Sequence, residues 1–236
     1  MPRLLVHVEG QTEETFVNEV LRDLLFVKGY DSVSARIVGN ARLRRFRGGI
    51  RPWPSVKRDI VHHLKEDPGC IATTMIDYYG LPSEGAGEWP GRAKASGLNP
   101  IDRGVWVETA LLDDVASEMG NQLKPGRFVP FVVMHEFEGL LFSDPAAFSR
   151  GIGLPDLVDD FLAIRDQFST PEEIDDSPVT APSKRIQALV PGYEKPLLGA
   201  LAALEIGLIR IRAECPHFNA WLENLEALVQ PARMAD

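Results

Sequence analysis

Short uncharged runs rich in β-branched residues alternate with stretches of helical periodicity, and three of those runs stop at an acid. Leu4 to Val8 is followed by Glu9-Gly10, Cys70 to Ile76 by Asp77, and Phe128 to Met134 by His135-Glu136. Runs that are apolar throughout read as strands covered on both faces. Val33 to Val38 adds a fourth strand. Between the strands, Phe16, Val17, Val20, Leu21, Leu24 and Leu25 recur at helical spacing until Gly29. Pro54 opens a second helix through Val56, Ile60, Val61 and Leu64, which Asp67-Pro68-Gly69 stops, and residues 102–119 are helical by pattern. Strands alternating with helices predict an α/β fold, a mostly parallel sheet flanked by helices. Past residue 145 no strand pattern is visible, only helical pieces broken by Pro171, Pro178, Pro182, Pro191, Pro196 and Pro216. The expected organisation is an α/β core over 1–144 and a helical C-terminal extension over 145–236 packed on it.

The rest of the composition narrows the class. A chain of 236 residues can bury a substantial core. No apolar run approaches the roughly 20 residues of a membrane span. The first residues resemble no export signal, so Cys70 and Cys215 are expected to be a reduced pair in a cytoplasmic protein. A net charge of -9 excludes a generally basic nucleic-acid coat. Yet between Ser32 and Arg58 there is no acid, and that stretch holds eight of the 25 Lys and Arg: Arg36, Arg42, Arg44, Arg45, Arg47, Arg51, Lys57 and Arg58. With Phe46, Gly48-Gly49 and Trp53 interleaved, Arg42, Arg44, Arg45, Arg47 and Arg51 are candidate contacts for nucleic-acid phosphates. A solvated loop paired with the acidic remainder is the alternative.

Ligands of open α/β sheets sit at the carboxyl ends of the strands. If the strands ending at Glu9, Asp77 and Glu136 are parallel neighbours, their carboxylates converge and need a cation to offset their repulsion. All-oxygen ligands favour Mg²⁺ or Mn²⁺. Glu13, one turn into the first helix, and Glu138, two residues past Glu136, are further candidate ligands, and His135 is a candidate acid–base group. Each acid has the alternative of capping a helix or pairing with an arginine. Ser183-Lys184-Arg185 follows Pro182 at an expected helix start, where backbone N–H groups and a cation would favour an anion.

Val-Glu-Gly-Gln-Thr-Glu-Glu-Thr-Phe, residues 8–16, resembles the first motif of the TOPRIM superfamily, and its Thr-Glu-Glu variant is similar to the overcoming-lysogenization-defect nuclease branch. The resemblance implies a TOPRIM-like, Rossmann-type sheet, with the first-motif Glu at Glu9 and the first Asp of a later motif at Asp77. Tyr79 stands where that family has its second Asp, a departure that leaves one-metal and two-metal chemistry both open. Asp77 to Pro82, His135 to Asp144, Ala181 to Arg185 and Cys215 to Phe218 are similar to one bacterial branch of unknown function. Members of that branch look like partners of adjacently encoded ATPases in anti-phage or mobile-element loci. In related nucleases a lysine from beyond the core strands assists phosphate chemistry, which makes Lys184 the candidate here.

The expected function is therefore a Mg²⁺- or Mn²⁺-dependent phosphodiester hydrolase acting on DNA or RNA. Glu9, Asp77 and Lys184 are its candidate catalytic residues, and Glu9, Glu13, Asp77, Glu136 and Glu138 its candidate metal ligands. Partners expected are nucleic acid, a neighbouring ATPase and, as an open question, a second copy of the chain; no membrane contact is expected. Two alternatives stand beside it: a non-catalytic module that docks on the ATPase, and a nucleotidyl-transfer enzyme.

Overall fold

A computed structural model describes residues 2–38, 50–175 and 177–229. The chain begins with strand β1, Arg3–Val8. Helix α1 (Gln11–Phe16) runs through a π-helical turn at Val17–Leu21 into α2 (Arg22–Lys28), and Gly29 ends it in the left-handed region at φ 121°. Then come β2 (Ser32–Ile37), α3 (Trp53–Glu66) and β3 (Cys70–Asp77). Residues 79–99 form a connection that includes a 3₁₀ turn at Ala93–Gly97. Helix α4 (Pro100–Met119) follows, with Asn99 accepting the Asp102 N–H at its start. The strands end with β4 (Phe128–Val129) and β5 (Val132–Val133).

All pairings are parallel, in the order β2-β1-β3-β4, with β5 also on β3. The expected strand over 128–134 is two short ones. Pro130 has no N–H to give to a ladder. Thr74 takes over locally: its hydroxyl accepts the Phe131 N–H at 2.9 Å and donates to the Phe131 carbonyl at 2.8 Å.

Every residue of β3 is buried. Its alternate side chains serve two layers. Leu4, Val6, Val8, Ile71 and Met75 join the core that holds Phe16, Leu21 and Leu25. Ala72 and Ile76 join the core of α3 and α4, with Val56, Ile60, Val107 and Leu111. The connection after β3 closes on this second layer: Trp89 is buried, 5.0 Å ring to ring from Trp53, and donates its indole N–H to the Arg51 carbonyl. A large side chain so buried contributes about 1.5–3 kcal/mol.

The C-terminal region is helical: α5 (Glu138–Leu141), α6 (Pro145–Gly151), α7 (Val158–Arg165), α8 (Pro182–Leu189), α9 (Lys195–Ile206), α10 (Leu208–Glu214) and α11 (Pro216–Ala227). It shares the first core layer. Phe218 and Trp221 pack on Phe131, Trp221 stacked at 4.4 Å, and the Trp221 indole donates to the Thr73 hydroxyl. The extension thus completes the sheet's α1 side and brings α9 against α1. Among the described residues no helix is long and apolar enough to cross a membrane.

Candidate functional site

Parallel register aligns the carboxyl ends of the strands. Val8 pairs with Met75 and Asp77 with Val133, so Glu9, one residue past β1, stands level with the end of β3. Glu13 enters from the first turn of α1, where its Oε2 accepts the Gly10 N–H at 2.9 Å. Asp77 closes β3; its Oδ1 accepts the Phe137 N–H at 2.8 Å, which ties β3 to the start of α5. Glu138, the first residue of α5, is wholly buried.

Lys195, the first residue of α9, reaches into this group. Its Nζ lies 2.8 Å from Glu138 Oε2 and 3.3 Å from Asp77 Oδ2. Three carboxylate oxygens in the cluster, Glu9 Oε2 and both of Glu138, are buried and take no hydrogen bond, and of these only Glu138 Oε2 has the ion pair with Lys195 to offset it. The Tyr193 hydroxyl, two residues before Lys195, is likewise buried without a hydrogen bond. Among the described residues, four carboxyl groups therefore share one ammonium.

The electrostatics follow from that imbalance. Burial pushes the Glu9 carboxyl up to about 7, with Glu13 adding to the rise and Lys195 opposing it. Burial raises Asp77 well above the usual carboxylate range; Lys195 opposes this, while Glu13, Glu9 and Glu138 add to it. Glu138 is raised for the same first reason and is likewise opposed by Lys195. Burial works against the Lys195 ammonium, but Asp77, Glu138 and Glu13 outweigh it and hold the proton firmly.

Glu9, Glu13, Asp77 and Glu138 are thus brought together as expected, and two candidates are not. Glu136 turns to a different partner: its Oε2 accepts the Ser183 N–H at 2.8 Å and its Oε1 the Ser183 hydroxyl at 3.0 Å, so it caps the start of α8. Lys184, on the same helix, is exposed and bonds Gln187 at 3.3 Å. The cation of this site is Lys195 instead. His135 is buried with φ 60°, its ring edge-on to Tyr78. Tyr79, in place of an acid, is partly exposed and its N–H bonds the His135 carbonyl. Arg42, Arg44, Arg45 and Arg47 lie outside the described residues; Arg51 is partly exposed.

The sequence did carry a signal for Lys195. It precedes Pro196 at a helix start, much as Lys184 follows Pro182, and local pattern alone does not choose between the two.

The donor set suits a hard divalent ion: all oxygen, with Glu9 Oε2 and Glu138 Oε1 buried and unsatisfied. Among the described residues, however, no three ligating side chains already close on one point. An ion would need Glu9, Asp77 and Glu138, with Glu13, to draw together around it.

No curated protein and no solved structure matches the chain significantly. A family model described as a domain of unknown function (DUF4276) matches residues 8–226, and the chain belongs to that family.

Proposed function

We propose that this protein is a divalent-metal-dependent phosphodiester hydrolase acting on nucleic acid. The observation that carries the reading is the set Glu9, Glu13, Asp77 and Glu138 gathered at the carboxyl edge of a parallel sheet with, among the described residues, a single ammonium between them. Such a set is under-neutralised, and a hard cation offsets the excess charge. The likeness of residues 8–16 to the TOPRIM first motif supports the same reading.

Position supports a polynucleotide substrate. The arginine-rich stretch leaves the described chain at Val38, whose N–H bonds the Val8 carbonyl beside Glu9. The chain resumes at Ile50. A Cβ on Gly80 would stand 3.7 Å from Ile50 Cβ and 3.8 Å from Glu9 Oε2, so both ends of that stretch border the acids. The arginines of that stretch have phosphate oxygens within their chemistry.

A bound Mg²⁺ or Mn²⁺ supplies Lewis-acid polarisation of a phosphoryl oxygen. Asp77 and Glu138 supply ligand oxygens on elements fixed by the Phe137 N–H to Asp77 bond. Glu9, level with them at the end of β1, supplies a further ligand oxygen or takes the proton of the attacking water as general base. Lys195 holds its proton firmly beside Asp77 and Glu138 and balances part of their charge while no metal is bound.

A second reading, a non-catalytic module that docks on an ATPase, is favoured by one observation: Lys195 already pairs two of the acids. Incubation of purified protein with single- and double-stranded DNA and RNA, in Mn²⁺, Mg²⁺ or EDTA, separates the two. Cleavage in metal that is lost in EDTA and in Glu9→Gln establishes the hydrolase. Absence of cleavage of every substrate in either metal favours the module.

A further inference from the structure

We infer that Lys195 is the resident counter-cation of the acid cluster and that a divalent ion enters by displacing it, so that this residue sets the site's metal affinity. The inference rests on the metal-dependent reading above and names the residue that competes with the metal.

The position of Lys195 needs a cause. It is the first residue of the twelve-residue helix α9, where the helix dipole disfavours a cation. The carboxylates of Glu138 at 2.8 Å and Asp77 at 3.3 Å provide the offset. One ammonium nevertheless leaves Glu138 Oε1 and Glu9 Oε2 buried and unsatisfied. A divalent ion answers both deficits: it carries twice the charge, and it takes oxygens at about 2.0–2.6 Å rather than at hydrogen-bond distance.

The two cations are mutually exclusive between Asp77 and Glu138. Like charges a few ångströms apart in a poorly solvated site repel strongly. Glu138 has no exposed surface, and its Oε2 cannot bond Lys195 Nζ and an inner-sphere metal ion without drawing them together. The lysine side chain is 36% exposed on a flexible four-carbon stem, which gives it a route of withdrawal toward water. The backbones of Asp77 and Glu138 are held by strand and helix, so their carboxylates shift only by side-chain adjustment, whereas the longer lysine side chain can withdraw.

Exchange of this kind makes two observations inseparable. Removing the ammonium strengthens metal binding, and binding metal frees the amine. Mn²⁺ affinity of the full chain is measured by electron paramagnetic resonance titration for the native protein and Lys195→Met. The acetylation rate of Lys195 by an N-hydroxysuccinimide ester is followed by peptide mass spectrometry, in EDTA and in saturating Mn²⁺. Expected are about tenfold or tighter Mn²⁺ binding in Lys195→Met and severalfold faster acetylation of Lys195 when Mn²⁺ is bound.

If the native protein binds Mn²⁺ while acetylation of Lys195 stays unchanged or falls, the exchange is overturned and the metal site stands. Equal or weaker Mn²⁺ binding by a folded Lys195→Met has the same meaning. Should that variant not fold, the acetylation rates of the native chain decide. If neither protein binds Mn²⁺ at millimolar concentration, the metal-dependent reading fails and the exchange with it.

Discussion

Lys195 Nζ stands 2.8 Å from Glu138 Oε2, which joins the first residue of α9 to the first residue of α5 across the carboxyl edge of the sheet. The two residues are 57 positions apart in sequence, and both helices belong to the region after the last strand. The candidate site is therefore assembled by the strand ends and the C-terminal extension together. Its charges are unequal, and several consequences can be measured.

Glu9 makes metal-free stability fall as pH rises. Its carboxyl is pushed up from 4.5 to about 7 in the folded chain. Between those values the folded state keeps a proton that the unfolded state releases, so a contribution present below 4.5 is lost as pH climbs through 7. In EDTA, Glu9→Gln is expected to melt at a higher temperature than the native chain at pH 8 and close to it at pH 4.5. Excess Mn²⁺ is expected to raise the native melting temperature and to raise that of the variant less. Differential scanning fluorimetry across pH checks both signs.

His7 acts in the opposite direction, on the acid side. Burial lowers its pKa from 6.5 to about 3, with His63 and Arg36 contributing to the fall and the Thr73 carbonyl opposing it. Its Nε2 lies 3.1 Å from His63 Nδ1. The unfolded chain takes up a proton below 6.5 that the folded chain refuses, so stability present above 6.5 is lost as pH falls toward 3. The full effect is on the order of 5 kcal/mol for a shift of this size. Urea denaturation from pH 7 to pH 4 is expected to show a much shallower acid loss in His7→Gln.

Ser183→Ala distinguishes a helix cap from a metal ligand. The Ser183 hydroxyl and N–H hold both oxygens of buried Glu136. Loss of the hydroxyl is expected to cost about 1–3 kcal/mol in urea denaturation, because a buried carboxylate oxygen is left unsatisfied. Mn²⁺ affinity is expected to stay within a factor of two in Ser183→Ala and in Lys184→Ala. A large loss of affinity in either would return Glu136 or Lys184 to the site.

Gly104→Ala tests the closest packing of α4. An added Cβ would meet His217 Cε1 at 2.6 Å and Met134 Sδ at 2.9 Å. The His217 ring is not free to yield, since its Nε2 is 2.9 Å from Glu108 Oε1. Alanine's better helix propensity returns about 1 kcal/mol. Overpacking costs typically 1–3 kcal/mol. A net destabilisation of up to about 2 kcal/mol is expected, read from the urea midpoint.

Much of the architecture was legible because periodicity is local. The run Leu4–Val8 became β1 with one residue added, and Pro54 stands in the first turn of α3, whose buried face is Val56, Ile60, Val61 and Leu64. The expected strand over 128–134 failed where a local rule was under-used: Pro130 interrupts the ladder and Thr74 repairs it from the neighbouring strand. Among the acids, Glu9 directly after β1 and Asp77 at the end of β3 lie on one edge because parallel register carries strand ends there.

Glu136 and Glu138 mark the limit of that reasoning. They are two residues apart and equally acidic, yet one caps α8 and the other meets Lys195. Lys184 and Lys195 divide in the same way, each within two residues of a proline at a helix start. The sequence by itself determined the strands, the helices and the parallel edge on which acids collect, since hydrophobic spacing and strand-end position are properties of a short segment. Tertiary structure decided which carboxylates and which cation occupy that edge. That choice depends on how α8 and α9 pack against α1 and α5, contacts between segments tens of residues apart that no local pattern encodes.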